Sequence, residues 1–193
     1  MNSENKKIHP SSFVNAASIG EGTRIWAFVN ILSEAVIGNN CNICDHCFIE
    51  NKVKIGNNVT IKSGVYIWDG VVIEDDAFIG PNVVFTNDIR PRSKHFKTPV
   101  SIIISKGASL GANTTILAGI KIGQYAMAGI ASVITRDVPD YALVYGNPAR
   151  FQGWVDETGE KLVEEKASLW RNQNHDYFIE ENGTLKPLKK NRI

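Results

Sequence analysis

Apolar residues recur at every sixth position along most of this chain. Phe13, Ile19, Ile25, Ile31, Ile37, Ile43, Ile49, Ile55, Ile61, Ile67, Ile73, Ile79 and Phe85 form one unbroken column. Four residues after each large member except the last stands a smaller one: Ala17, Thr23, Val29, Ala35, Cys41, Cys47, Val53, Val59, Val65, Val71, Ala77 and Val83. Gly, Asn, Asp, Glu and Lys fill most of the gaps. Neither a helix of period 3.6 nor a strand of period 2 requires a spacing of six. A large apolar residue, then turn formers, then a small residue predicts a short strand, a corner and another strand. Gly20, Gly38 and Gly56 each follow an isoleucine at intervals of eighteen, so three units close one coil. The pattern predicts an all-β triangular prism, a parallel β-helix with isoleucines inside and small residues at its corners. Each coil buries its apolar face only by stacking on its neighbours, rising about 4.8 Å per coil. The period leaves the handedness open.

The frame breaks once. After Phe85 the column resumes at Ile104, Leu110, Ile116 and Ile122 and runs through Ala128 to Ile134. From 85 to 104 is not a multiple of six, so residues 86–103 are expected to leave the coil as an excursion loop. The loop holds Arg90, Arg92, Lys94 and Lys97 against one acid, Asp88, and long loops on a rigid scaffold often carry function. The solenoid with its loop is assigned to residues 1–150. A tail, 151–193, follows, with a short amphipathic helix expected over 157–170 and a hairpin turning at Asn182-Gly183. Such a tail can cover the open strand edge at the solenoid's end. The expected class is thus a β-helix with an excursion loop and a short α/β tail.

Composition narrows the function. A net charge of +1 gives no bulk reason for nucleic-acid or membrane binding, and no apolar run reaches the length of a membrane span. The opening MNSENKKIHPSS has lysines with no apolar segment behind them and does not read as a secretory signal. Three cysteines without such a signal fit a reducing cytoplasm. Cys41, Cys44 and Cys47 are spaced as CxxCxxC, but no fourth ligand stands at suitable spacing, and Cys41 and Cys47 belong to the small inward column. The histidines have no matched spacing either, so no metal site is expected.

Adding eighteen moves one coil along the prism at the same place. The column through Asn87, at the mouth of the loop, holds Ser33, Asn51 and Asp69; beside it run Leu32, Glu50, Trp68 and Thr86. A polar ladder flanked by an indole and a carboxylate therefore lies under the basic loop, a platform for a sugar or a pyrimidine. A purely structural ladder of turn formers is the other reading. Ala112 and Ile130 are likewise stacked one coil apart.

The isoleucine column with its IGNN corners resembles the hexapeptide-repeat acyltransferases over most of residues 9–150. That resemblance implies a left-handed β-helix, assembled as a homotrimer, with an acyl-CoA in the groove between subunits. The pieces FIENKVKIG, YIWDG, FIGPNVVFTNDIRPRS, KGASLGANTTILAGIKIG and VPDYALVYGNPAR are similar to the sugar-nucleotide 3-N-acetyltransferases of dTDP- or UDP-linked 3-amino sugars. These serve surface polysaccharides such as lipopolysaccharide. Where many relatives place a histidine as general base at the start of the loop, this chain has Thr86-Asn87-Asp88, and the 3-amino-sugar branch shares the asparagine. AGIAS puts Ile130 where relatives often carry a smaller residue.

The resemblance implies attack of a sugar amine on the thioester of acetyl-CoA or another acyl-CoA. Asn87 would orient the amine, and Asp88 or His95 would accept a proton. Glu50, Asn51, Trp68, Asp69, Arg90 and Arg92 are the expected substrate contacts. Ala112 and Ile130 would border the pantetheine arm, with Arg136 and Arg150 on the phosphates. Competing readings are transfer of another acyl group such as 3-hydroxybutyryl, O-acetylation of a sugar hydroxyl, and a non-catalytic solenoid binding module.

Overall fold

The computed structural model describes residues 7–188. The outermost residues of the expected solenoid and tail, 1–6 and 189–193, lie outside the described residues. Every regular element described is a strand. Most strands are two residues long and lie on one of three faces, so three strands and three corners make a coil. Face A runs from Lys7–Ile8 through Arg24–Ile25, Asn42–Ile43, Thr60–Ile61, Phe78–Ile79 and Ser109–Leu110 to Met127–Ala128. Face B runs from Phe13–Val14 through Asn30–Ile31, Phe48–Ile49, Tyr66–Ile67, Val84–Phe85 and Thr115–Ile116 to Val133–Ile134. Face C holds Ser18–Ile19, Val36–Ile37, Lys54–Ile55, Val72–Ile73, Ile103–Ile104 and Lys121–Ile122. Neighbours on each face pair in parallel, one coil to the next.

Alternation explains the division of labour within each strand. The first residue points outward and the second inward. The inward isoleucines from Ile25 to Ile79 are at most 3% exposed, and the small column behind them is buried as well. Main-chain bonds between coils, such as Asn42 N to Val59 O at 2.8 Å and Thr60 N to Ala77 O at 3.0 Å, satisfy backbone that would otherwise be buried unpaired. The repeated glycines have a steric reason: a Cβ on Gly56 would come within 2.7 Å of the backbone nitrogen of Asp75 in the next coil. Asn40 and Asn58, at φ 56° each, take the left-handed corner conformation that asparagine tolerates.

The first coil corrects the expected register. Phe13 pairs with Asn30, and Val14 with Ile31, so Val14 is the inward residue and Phe13 is 77% exposed. Ile8 and Val14 are themselves six apart and keep their own frame. The missing residue falls at the corner before Ile19. With two apolar residues side by side, spacing alone could not choose between them, and a slip of one flips the face. Higher up, Ile73 pairs with Ile104, thirty-one positions on instead of eighteen, so the loop adds thirteen residues to one coil.

The tail differs more. Ala142–Gly146 continues face A beside Met127–Ala128, then Ala149–Trp154 returns antiparallel to it. A separate four-stranded antiparallel sheet follows: Val163–Lys166, Leu169–Arg171, Tyr177–Glu181 and Thr184–Pro187. The expected helix over 157–170 is absent, and the tail is all β. Glu, Lys, Leu and Ala gave that stretch helix propensity, which tertiary pairing overrides. Leu162 is buried with its N–H on the Trp154 carbonyl, and Ser168 takes a φ of 63° in the turn between two strands. The Asn182-Gly183 hairpin forms as expected, both residues at positive φ. Buried Trp154, Phe178 and Leu185 join the sheet to the solenoid end, and one oxygen of Glu180 accepts the indole N–H of both Trp154 and Trp170, at 3.0 and 3.1 Å.

Candidate active site

The corner between faces B and C carries the polar ladder. The pairing of Tyr66 with Val84 sets Asp69 below Asn87, and Arg136 continues the same corner two coils above it. The ladder is stitched by its own bonds. Ser33 Oγ lies 3.4 Å from Asn51 Oδ1, Lys52 N donates to Asp69 Oδ1 at 2.8 Å, and Asp69 N donates to Glu50 Oε2 at 2.7 Å. Trp68 donates its indole N–H to the Phe85 carbonyl at 2.9 Å and packs among Phe48 and Tyr66, ring centres 5.6 and 6.2 Å away.

The loop leaves and re-enters at this corner. Val100 N donates to the Asn87 carbonyl at 2.9 Å, and Ser101 Oγ to the Gly70 carbonyl at 2.6 Å, pinning its base. Asp88 Oδ1 accepts the Arg90 N–H at 2.7 Å, and His95 N donates to the Arg92 carbonyl. These turns fold the loop over a cavity of about 570 Å³ that gathers Asn87, Asp88, His95, Glu50 and Arg92. Asn51, Trp68, Asp69 and Arg90 do not line it. The ladder residues Asn51 and Asp69 are its footing, Trp68 belongs to the outer aromatic cluster, and Arg90 lies exposed. Ser93 and Phe96 line the cavity without having been singled out in the sequence, and Lys97, noted there only as one of the loop's cations, lines it too. The signal available for Phe96 was a lone ring within a run of cations.

The residues expected to meet the acyl donor stand elsewhere. Ser109 pairs with Met127, which sets Ala112 beside Ile130 on the corner between faces A and B, and Ala131 N donates to the Ala112 carbonyl at 2.8 Å. Ile130 is 76% exposed there. Arg136 and Arg150 share a second cavity of about 340 Å³, where Phe151, Trp154 and Glu180 close the solenoid end against the tail. Within one chain, face B separates the Ala112–Ile130 corner from the loop cavity. Among the described residues no three His, Cys, Asp or Glu side chains are grouped to hold a metal, and no helix is long and apolar enough to cross a membrane.

Parallel coils, isoleucine interior and corner loop define a hexapeptide-repeat solenoid. The bacterial transferase hexapeptide model, of six repeats, matches residues 16–51 and 52–87. The chain belongs to this family, and its stacked coils fit the left-handed β-helix that the resemblance implied. It is 62% identical over 163 residues to the dTDP-3-amino-3,6-dideoxy-alpha-D-galactopyranose 3-N-acetyltransferase of Aneurinibacillus thermoaerophilus, covering 83% of this chain and 84% of that one. Among solved structures, a hexapeptide-repeat acetyltransferase of Vibrio cholerae O1 biovar eltor in complex with acetyl coenzyme A is 26% identical at a TM-score of 0.54, covering 72% of this chain and 70% of that one. A UDP-N-acetylglucosamine acyltransferase of Bacteroides fragilis shares the fold at a TM-score of 0.52 and 19% identity, covering 80% and 74%.

Proposed function

We propose that this chain is a CoA-dependent N-acetyltransferase acting on the 3-amino group of a dTDP-linked 3-amino-3,6-dideoxyhexose, in the supply of sugars for surface polysaccharide such as lipopolysaccharide. The observation that carries this reading is the 62% identity, sustained over 83% of the chain, to an enzyme of that activity. The loop cavity supplies a matching site, lined by carboxylates, an amide and an imidazole together with the cations Arg92 and Lys97.

A neutral amine attacks a thioester readily, so holding the two together carries much of the catalysis, worth about 7–11 kcal/mol in well-oriented systems. Asn87 orients the amine at the cavity mouth, and Glu50, one oxygen already fixed by the Asp69 N–H, presents the other to the sugar. Asp88 or His95 takes the proton; the pH profile of kcat/KM for Asp88→Asn and His95→Asn separates them. A backbone N–H at the Ala112–Ile130 corner meets the charge that develops on the carbonyl oxygen. Arg136 and Arg150 meet the phosphates of the donor from their shared cavity.

The loop cavity and the Ala112–Ile130 corner lie on opposite edges of face B in one prism, so a site that uses both forms between chains, and we propose a homotrimer. Face B supports this. Its outward residues Phe13, Asn30, Phe48, Tyr66, Val84, Thr115 and Val133 carry no charge, whereas Lys7 and Arg24 point out from face A, and Lys54 and Lys121 from face C. We place the reaction in the cytoplasm, in keeping with three free cysteines. The test is thiol release from acetyl-CoA with a panel of acceptors. Turnover is expected with the dTDP-3-amino sugar and not with its 3-hydroxy counterpart. Turnover on the hydroxyl, or only with 3-hydroxybutyryl-CoA, overturns the reading.

A further inference from the structure

Phe96 is 98% exposed, the most exposed large apolar side chain among the described residues, yet it lines the cavity over Asn87 and Glu50. Folding gives no reason for the ring to be there, since it buries nothing. The surrounding charge is equally unaccounted for. Arg90, Arg92, Lys94 and Lys97 fall within eight residues of a chain whose net charge is only +1, and among the described residues none of them forms an ion pair. The single acid of the loop, Asp88, has one oxygen committed to the Arg90 N–H. Trp68, the other ring near this corner, has its N–H bonded to a main-chain carbonyl and its faces among Phe48 and Tyr66, outside the cavity.

An exposed ring beside unpaired cations is suited to a planar base joined to phosphates, because the ring offers a stacking face and guanidinium and ammonium groups hold phosphate oxygens. A second copy of the chain laid on the loop through the outward strand residues of face B would cover the ring and leave the cations unmatched, since those residues carry no acid. We propose that Phe96 is the base platform of the acceptor site: it stacks on the pyrimidine of the sugar nucleotide, Arg92 and Lys97 hold the diphosphate, and the amino sugar is thereby turned toward Asn87 and Glu50. This rests on the N-acetyltransferase reading and assigns the nucleotide half of its substrate.

Two measurements test it. Titration with dTDP needs no turnover: Phe96→Ala is expected to weaken binding about 5- to 150-fold, the range of a lost base–aromatic stack, while Phe96→Trp keeps it. In steady-state assays Phe96→Ala should raise KM for the dTDP-amino sugar by the same factor, leave kcat within about twofold, and leave KM unchanged for the amino sugar 1-phosphate, which has no base. Unchanged dTDP affinity, an equal KM change for both acceptors, or dissociation of the assembly in light scattering would each overturn the assignment. If dTDP binds as expected and no amino sugar is acetylated, the platform stands and the reaction assigned to the chain does not.

Discussion

Cys47 and Phe96 mark the two limits of what a single position reveals. Cys47 stood in the small inward column between Val29 and Val65 of the adjacent coils, and the structure buries it to 2% exposure. That burial pushes the thiol up from 9.0 to about 11. The folded chain therefore keeps the proton while the unfolded chain loses it first. Stability from this group is complete below about pH 9 and lost as the pH rises toward 11, at most about 3 kcal/mol. Cys47→Val should pack like its neighbours in the column, so the melting temperature of the wild type is expected to fall relative to the variant across that interval. Parallel melting curves for the two proteins would contradict the burial of a protonated thiol. Phe96 had no such column to betray it. Periodicity reports what the interior demands, and a residue that faces a ligand satisfies no interior demand. Asn87 and Glu50 were legible as cavity residues because they stack on coils whose period is known; Phe96 lies among thirteen inserted residues that have no period, where the sequence showed only a run of cations.

At the level of elements the same contrast separates solenoid from tail. The coils could be counted in the sequence because every strand, corner and glycine recurs under the same steric conditions. The tail occurs once, and its local propensity pointed to a helix that pairing with Trp154 and the neighbouring strands excludes. Phe13 and Val14 show a milder case, where two adjacent apolar residues left the register undecided until the coil above fixed it. Face B was not singled out by the period at all, because its outward residues vary freely. It is nevertheless the face that carries a cluster of Phe48, Tyr66 and Trp68 with ring centres 5.6–6.3 Å apart. Tyr66→Arg should leave the coil folded, since the residue points outward, and should dissociate the proposed trimer by placing a charge in each subunit contact. Light scattering on a variant with unaltered circular dichroism checks this, and a persistent trimer would move the interface to another face.

For the whole molecule, the solenoid sets the loop cavity and the Ala112–Ile130 corner on opposite edges of face B, so the proposed reaction calls for a second chain. The loop cavity with Asn87 lies at one end of face B, and the Ala112–Ile130 corner lies at the other. A single prism cannot fold one onto the other, because its faces are fixed by the main-chain bonds of every coil. Assembly can, if the loop corner of one subunit meets the donor corner of the next. Asn87→Ala removes the amide proposed to orient the amine and is expected to lower kcat/KM about 100-fold without changing the melting temperature. Ile130→Glu, at an exposed position, is expected to block the donor side with the fold intact. The most direct measurement is acetyl transfer by equal amounts of these two variants, unfolded and refolded together. Each alone should be nearly inactive, and the mixed trimers should recover about a quarter of wild-type activity, the fraction of sites that draw an intact corner from each of two chains. Activity no greater than the sum of the separate variants would contradict a site completed between subunits.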